Sequence, residues 1–321
     1  MIYLLAIESS CDETAVAILN ITNGYILSNI VISQIIIHKK YGGVIPELAS
    51  REHIYHIANI TIKNIKKAKI SINRIKLIAV TKKPGLIGSL IIGINFAKGI
   101  AKSLRIPLIC INHIKAHLLA GLFEKGFPIK KHFIGLVASG GHSSLFLYKN
   151  KIFYKLSETK DDAPGETFDK IGNMLGLDYP AGNILDKLAN KGSINHFKFP
   201  IPLENKITLN YSFSGLKTSV SIIIEKLKNH NIIFKDKILF NLSAGIRYSI
   251  ISTLLKKAFL ACKYNKVDIL VIGGGVASNS LLRLMASIEG KKQNIYIYIP
   301  PPYLCTDNAI MIGKAAIHTL K

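Results

Sequence analysis

The sequence predicts an α/β chain of two duplicated domains around a central cleft, and three observations predict it. Apolar runs of strand length alternate with stretches of helix length from end to end. A unit of strand, small polar tip and strand occurs twice, at 2–19 and at 133–148, which suggests duplication with the two tips facing each other across a cleft. Glycine-containing loops stand between a strand and a helix at 84–89 and 273–279, where α/β proteins bind anions. A chain of 321 residues has room for two separate cores.

In the first half, residues 2–7 form an apolar strand, 8–14 a polar turn and 15–19 a second strand. The turn holds Ser9, Asp12 and Thr14, so it offers backbone N–H groups to an anion and carboxylates to a metal. An ordinary polar hairpin has the same composition. Residues 28–37 form a third strand. Tyr41, Gly42 and Gly43 turn the chain, and Pro46 with Glu47 starts a helix. That helix carries Arg51 and the surface histidines His53 and His56 toward a solvated end at Lys66 and Lys67. A strand at 76–81 leads through the 84–89 loop into a helix ending near Ala101, and a strand at 107–111 leads to His113. No Gly-Lys-Ser/Thr follows the 84–89 loop, so it is not a Walker loop.

In the second half, strands at 133–137 and 145–148 flank Ser139, Gly140 and Gly141, whose small size lets backbone N–H groups approach a phosphate. Acids at 161–166, with Pro164, start a helix that runs to 175. Gly176, Pro180 and Gly182 break it, and Leu185 and Asp186 begin another helix. Asp169 reads either as a helix-surface acid or as a ligand placed before the Gly/Pro turn. A loop at 193–211 precedes helices at 213–228 and 239–263. The strand at 268–272 then runs into Gly273, Gly274 and Gly275, a nucleotide-binding position without the G-x-G-x-x-G spacing of NAD proteins. A strand at 295–300, a turn through Asp307 and a helix from Ala309 close the chain.

Lys plus Arg number 42 against 19 Asp plus Glu, a formal charge of +23. This surplus suits a polyanionic partner such as nucleic acid. AT-rich codon usage produces the same surplus in a chain rich in Ile, Lys and Asn, so both origins stand. At 49% hydrophobic and 19% charged the composition is that of a folded protein and excludes intrinsic disorder. Cys11, Cys110, Cys262 and Cys305 form no C-x-x-C pair, which argues for a reducing compartment and against a disulfide framework or thiolate zinc site. No basic region precedes the first apolar run, and the longest uncharged stretch, 84–97, is too short to span a bilayer. These features predict a cytoplasmic protein with no membrane partner.

His113 and His117 stand four residues apart, one helical turn, on the same face. The spacing suits a two-histidine metal chelate, and equally two unrelated histidines of a core or surface. The position at which an H-E-x-x-H protease carries its general base is Ile114, so that chemistry has no base here. A chelate needs a third ligand, and Asp307, at a loop-to-helix junction, is the candidate; it reads otherwise as an N-cap.

Motifs throughout the chain bear on these alternatives. Ile7-Glu8-Ser9-Ser10-Cys11-Asp12-Glu13-Thr14, Gly42-Gly43-Val44-Ile45-Pro46-Glu47-Leu48-Ala49 and Pro84-Gly85-Leu86 occur in the first third. Asn112-His113 with His117-Leu118-Leu119-Ala120, Ser139-Gly140-Gly141-His142 and Gly165-Glu166-Thr167-Phe168-Asp169-Lys170 follow. Ser212-Phe213-Ser214-Gly215-Leu216-Lys217-Thr218, Gly273-Gly274-Gly275-Val276 with Asn279, and Cys305-Thr306-Asp307-Asn308 complete the set. Together they closely resemble the TsaD family of tRNA threonylcarbamoyladenosine transferases, and the likeness runs end to end.

The resemblance implies an actin-like ATPase (ribonuclease H-like) fold, with a first domain of 1–117 plus 307–321 and a second of 118–306. It implies transfer of threonylcarbamoyl from threonylcarbamoyl-AMP to the exocyclic amine of the adenosine next to the anticodon, position 37, with release of AMP. Matching the motifs gives His113, His117 and Asp307 as ligands of one divalent metal, Fe2+ first and Zn2+ as the alternative. It gives Val137, Ala138, Ser139, Gly140, Gly141, Asp169, Gly182, Asp186 and Asn279 as substrate-binding residues, with ATP or ADP able to occupy the same cleft. The implied partners are tRNA, a TsaB-like paralogue, a TsaE-like ATPase and a TsaC-like synthase that supplies the intermediate. No residue stands out as a general base. The chain departs from the family pattern at Lys115 and Ala116, where Glu and Gly are usual, and at Ala181 and Asn183. A cation at Lys115 opposes metal binding unless it points away. The rival readings are a small-molecule kinase of the same superfamily, a non-catalytic subunit that binds nucleotide and tRNA, and, weakest, a metalloprotease.

Overall fold

The computed structural model describes residues 2–203, 208–229 and 236–320. The chain divides into two compact units, Met1–Phe127 with Pro300–Lys321, and Pro128–Ile299. The expected joins at 117/118 and 306/307 both fall inside the first of these. Leu118, Leu119 and Ala120 are buried there, and Lys314 Nζ donates to Ala120 O (2.9 Å) and Glu124 Oε1 (2.8 Å).

The first unit contains β1 (Tyr3–Glu8), β2 (Glu13–Asn20), β3 (Ile26–Ser33), α1 (Ile35–Lys39), α2 (Pro46–Ala68), β4 (Ile75–Lys83), α3 (Ile87–Leu104), β5 (Leu108–Asn112) and α4 (His113–Leu119). The second contains β6 (Phe133–Ala138), β7 (Ser143–Lys149), β8 (Ile152–Glu158), α5 (Pro164–Met174), α6 (Gly182–Ala189), α7 (Ser214–Asn229), α8 (Asp236–Asn265), β9 (Ile269–Gly273), α9 (Ser280–Gln293) and β10 (Tyr296–Tyr298). Helix α10 (Ala309–Leu320) returns to the first unit.

The two sheets have one topology. The first runs β3-β2-β1-β4-β5 and the second, in the same sense, β8-β7-β6-β9-β10. In the first, β1/β2 and β2/β3 are antiparallel while β1/β4 and β4/β5 are parallel. In the second, β6/β7 and β7/β8 are antiparallel while β6/β9 and β9/β10 are parallel. The duplication suggested by the repeated hairpin is therefore present strand for strand. In each sheet three parallel strands end on one edge. Those ends are Glu8, Lys83 and Asn112 in the first unit, and Ala138, Gly273 and Tyr298 in the second. The carboxyl edge of parallel strands is where open α/β sheets bind ligands.

Covering layers explain why β1 is apolar along its length. Every residue of β1 is buried, as expected of a strand with helices on both faces. Leu5, Ile7, Val16 and Ile18 form one core with Ile57 and Ile60 of α2 and Ala97 of α3. On the other face α10 lies so close that a Cβ at Gly313 would meet Leu19 Cδ1 at 2.6 Å and Ala6 Cβ at 3.3 Å. Helices α3 and α8 are long and apolar enough to cross a membrane by length and composition, but 78% of the α8 window is buried inside the second unit. It is a core helix.

Three local expectations are corrected. Residues 35–37 do not extend the third strand; they open α1, where Gln34 Nε2 donates to Ala49 O and Gln34 Oε1 meets His38 Nε2 at 3.1 Å. Strand β8 was not foreseen, because it is half-exposed and carries Lys155 and Glu158. His53 is not on the surface. It lies on the buried stripe of α2 with Ala49, Ile57, Ile60 and Asn64, and its Nδ1 and Nε2 reach Thr14 Oγ1 (2.7 Å) and Cys11 O (2.9 Å).

The loop after β9 supplies a stability test. Gly274 has φ +91°, and a Cβ there would lie 2.3 Å from Ala138 O, whereas a Cβ at Gly275 meets nothing within 4 Å. Gly274→Ala is expected to destabilise the protein by about 1–3 kcal/mol and Gly275→Ala to leave it nearly unchanged, read as denaturant midpoints.

Candidate metal centre and nucleotide loops

The metal candidate is built at the carboxyl edge of the first sheet. Strand β5 runs directly into α4, and Asn112 caps the turn by accepting from Lys115 N at 3.0 Å. His113 opens α4 and His117 lies one turn later; both are buried, His117 completely. Their rings meet edge to face with centroids 4.7 Å apart. Asp307 approaches both, its Oδ1 lying 3.5 Å from His113 Nε2 and 3.1 Å from His117 Nε2. One ligand atom from each of the three lies within 4.8 Å of the others. Asp307 is not the cap of α10. Asn308 fills that role, accepting from Met311 N at 3.0 Å and donating to Thr306 O at 2.6 Å.

The chemistry of this donor set fits a divalent ion. Among the described residues neither nitrogen of the buried His117 ring has a hydrogen-bond partner, and the 3.1 Å approach of Nε2 to Asp307 lacks hydrogen-bond alignment. An unpartnered buried polar atom costs about 1–3 kcal/mol. A cation facing Nε2 satisfies it. Two imidazoles and one carboxylate match Zn2+ or a non-haem Fe2+ with open positions. Lys115 does not oppose this. Two residues along α4 it is about 200° around the helix from His113, on the other side from the chelating face.

Behind His113 stands Glu8, which sequence reasoning did not place in the site. Glu8 ends β1, is fully buried, and its Oε2 lies 3.0 Å from His113 Nδ1. Thr81 Oγ1 donates to the same oxygen at 2.6 Å, and Ser10 N donates to Oε1 at 2.6 Å. Ser10 Oγ is 3.1 Å from His113 Nδ1. This carboxylate–histidine arrangement orients a metal ligand and raises its basicity. Burial acts to raise the Glu8 carboxyl, but the charge and hydrogen bond of His113 hold it below the usual carboxylate range. Burial likewise opposes the His113 cation, yet Asp307 and Glu8 lift its pKa to about 9. A metal bound by His113 would therefore displace a proton. Burial and Asp12 push the Cys11 thiol far up, so it is no thiolate nucleophile. The only available signal for Glu8 was an acid ending a wholly apolar strand.

The remaining expected site residues lie in the second unit. Val137, Ala138 and Ser139 are buried at the end of β6, and Gly140 and Gly141 are exposed. Gly165 N and Glu166 N, in the first turn of α5, donate to Ser139 O (3.1 Å) and Gly140 O (3.0 Å). Asp169 Oδ1 accepts from Ala181 N at 2.8 Å, beside Gly182 at the start of α6. Asp186 accepts from Ser280 N and Ser280 Oγ, both at 3.0 Å, and from Arg247 Nη1 at 2.6 Å. Asn279 caps α9, accepting from Leu281 N (3.1 Å) and Leu282 N (3.2 Å). The structure thus brings Asp186 beside Asn279 and Asp169 beside Gly182, and fixes each through the backbone of its neighbour. Arg247, which ties α8 to α6 and α9, was not foreseen.

Two α/β units of identical sheet topology, with a candidate metal centre at a carboxyl edge of the first, define an actin-like ATPase fold. Solved structures agree. HypF in its phosphate- and nucleotide-bound form aligns over 100% of this chain and 46% of its own at TM-score 0.63 and 15% identity. The (R)-2-hydroxyglutaryl-CoA dehydratase component A of Acidaminococcus fermentans aligns over 99% of this chain and 97% of its own at TM-score 0.58 and 16% identity. The chain belongs to the TsaD family, tRNA N6-adenosine threonylcarbamoyltransferase, whose family model matches residues 25–314. The proteins of that name from Thermosipho africanus and Clostridium perfringens are 46% and 44% identical to it. Each alignment covers 99% of this chain, with 94% and 92% of the relative. The chain is accordingly a transferase of tRNA processing.

His117→Ala is expected to abolish tight binding of Zn2+ or Fe2+ with the fold retained. Glu8→Gln is expected to weaken it roughly 10- to 100-fold. Equilibrium titration with a chromophoric chelator measures both, and undiminished binding by Glu8→Gln would remove Glu8 from the site.

Proposed function

We propose that this chain transfers threonylcarbamoyl from threonylcarbamoyl-AMP to the N6 amine of the adenosine adjacent to the anticodon. The observation that carries this reading is the convergence of His113, His117 and Asp307, with Glu8 behind them, in a chain of the TsaD family. A bond forms between N6 and the carbamoyl carbon, the bond from that carbon to the phosphate oxygen breaks, AMP leaves, and one N6 proton passes to the departing phosphate or to solvent. The N6 lone pair is delocalised into the purine, so the amine is a weak nucleophile and alignment with the acyl carbon matters. His113, His117 and Asp307 would hold one divalent ion, Fe2+ in our assignment with Zn2+ as the alternative, and it would supply Lewis-acid polarisation of the mixed anhydride.

The chain's own residues supply the rest. Glu8 fixes the His113 ring with Nε2 facing Asp307. Gly140 and Gly141 bring backbone N–H groups to the phosphate beside Ser139, whose own N–H donates to His142 O (2.8 Å), and Gly274 permits the close approach of the β9 loop to Ala138. Asp169, Gly182, Asp186 and Asn279 hold the nucleoside of the adenylate, and ATP or ADP occupies the same residues when the intermediate is absent. The target base lies in a single-stranded loop, so presenting it costs little unpairing. The implied partners are tRNA, a TsaB-like paralogue, a TsaE-like ATPase and a TsaC-like synthase. Reactions on tRNA with an ATP-derived intermediate suit the cytoplasm, and the absence of a disulfide among the described cysteines agrees with a reducing compartment.

Incubating a tRNA transcript with the metal-loaded protein, its partners and threonylcarbamoyl-AMP, followed by nucleoside mass spectrometry, is expected to yield threonylcarbamoyladenosine. His117→Ala is expected to lower the rate by at least about 10²-fold, as for loss of a principal electrostatic stabiliser. Phosphorylated small-molecule products with unmodified tRNA would instead establish the kinase reading.

A further inference from the structure

The end of β4 carries two lysines that neither the core nor the metal centre explains. Residues 75–81 are buried apart from Lys76, and Lys82 and Lys83 are both exposed. Alternation along a strand would turn one of them inward. It does not, because the β4–β5 register shifts between Thr81 and Lys83: Thr81 pairs with Ile111 and Lys83 with Asn112, leaving Lys82 as the extra residue. Such a bulge breaks the alternation and re-aims side chains, and bulges concentrate beside functional sites.

The bulge lies next to the metal centre and is held on both sides. Before it, Thr81 Oγ1 is bonded to Glu8 Oε2, the oxygen that also faces His113. After it, Leu86 N donates to Ser10 O at 2.8 Å, and Gly85 packs so tightly that a Cβ would lie 2.5 Å from the same carbonyl. Lys83 is paired in the ladder with Asn112, the residue that caps α4 immediately before His113. The two lysines therefore project from a braced strap at the carboxyl edge that forms the metal centre.

Lysine commonly blunts exposed sheet edges, but β4 is flanked by β1 and β5 and has no open edge. Neither lysine makes an ion pair among the described residues. Two unpaired cations side by side repel each other and favour a polyanion that passes both. Phosphates spaced along a strand do this.

We propose that Lys82 and Lys83 contact the phosphate backbone of the tRNA strand that carries the target adenosine, steering it to the metal centre. This rests on the transferase reading above. The alternative source of phosphate, the single group of the adenylate, predicts a different kinetic signature.

The test compares the full-length protein with the double variant Lys82→Gln/Lys83→Gln and with Lys82→Arg/Lys83→Arg, each metal-loaded and with partners. Direct tRNA binding is measured by fluorescence anisotropy across a salt series, and transfer by nucleoside mass spectrometry. Expected for the Gln pair are a roughly tenfold weaker tRNA Kd, a log Kd against log salt slope reduced by about 1 per lysine, and a raised KM for tRNA with KM for threonylcarbamoyl-AMP unmoved. The Arg pair is expected to restore binding. An unchanged Kd and salt slope overturn the proposal, as does an effect confined to KM for threonylcarbamoyl-AMP. If the unmodified protein yields no threonylcarbamoyladenosine, the transferase reading fails, and the anisotropy series still decides whether these lysines bind tRNA.

Discussion

A single buried carboxylate organises the first unit's site. Glu8 is fully buried, and among the described residues its negative charge is supported by the Ser10 amide, the Thr81 hydroxyl and His113. Each of those partners belongs to a different segment: the hairpin tip, the end of β4 and the start of α4. Removing the carboxylate unties all three, and supplying it without His113 leaves a buried charge whose burial cost outweighs what two neutral donors return. The site and the fold are thus mutually conditional. The strands must end together for Glu8 to be satisfied, and Glu8 must be satisfied for His113 to face Asp307.

The second unit solves its problem with backbone rather than charge. Its carboxyl edge ends in Ala138 and Gly273, and the loops beyond them approach more closely than side chains allow. Gly165 sits with its would-be Cβ 2.7 Å from Gly140 Cα, and Gly274 with its would-be Cβ 2.3 Å from Ala138 O. Its polar side chains hold backbone: Asp169 takes Ala181 N, Asp186 takes Ser280 N beside its ion pair with Arg247, and Asn279 takes the first amides of α9. A duplicated sheet has therefore been specialised twice, once into a charged histidine–carboxylate centre and once into glycine loops.

Legibility in the sequence followed locality. The duplicated hairpins, the glycine loops and the His113/His117 pair are all readable because each lies within a few residues. Asp307 was readable only as an alternative to an N-cap, and Asn308 taking the cap is a one-residue distinction that composition does not make. The unread features depend on distant partners. His53 looked like a surface histidine until the α2 stripe placed it against Thr14 and Cys11. Gln34 diverted an Ile-rich run from strand to helix by bonding Ala49 and His38. Glu8 acquires its role from Thr81 and His113, far away along the chain, and Arg247 from Asp186, Asn190 and Ser280.

Charge explains why the centre and its surroundings differ in sign. The chain carries +23 overall, yet the hairpin tip and its neighbours gather Glu8, Asp12, Glu13 and Asp307. Burial first, and then the neighbouring Asp12 and Asp307, push Glu13 well above the usual carboxylate range, which favours its uncharged form beside the carboxylates of the centre. An adenylate phosphate or an RNA strand approaching such a site meets repulsion. Two things reverse it: a divalent cation in the chelate, which neutralises the inner carboxylates, and fixed cations at the rim. His113 with a pKa near 9 supplies one positive charge in the metal-free protein, but it is buried and its charge is answered by Glu8 and Asp307. The rim must therefore supply its own. Lys82 and Lys83 occupy that rim, on a strand end bulged out of register, and a positive margin around a metal-dependent centre draws a polyanion in only as far as the metal can receive it.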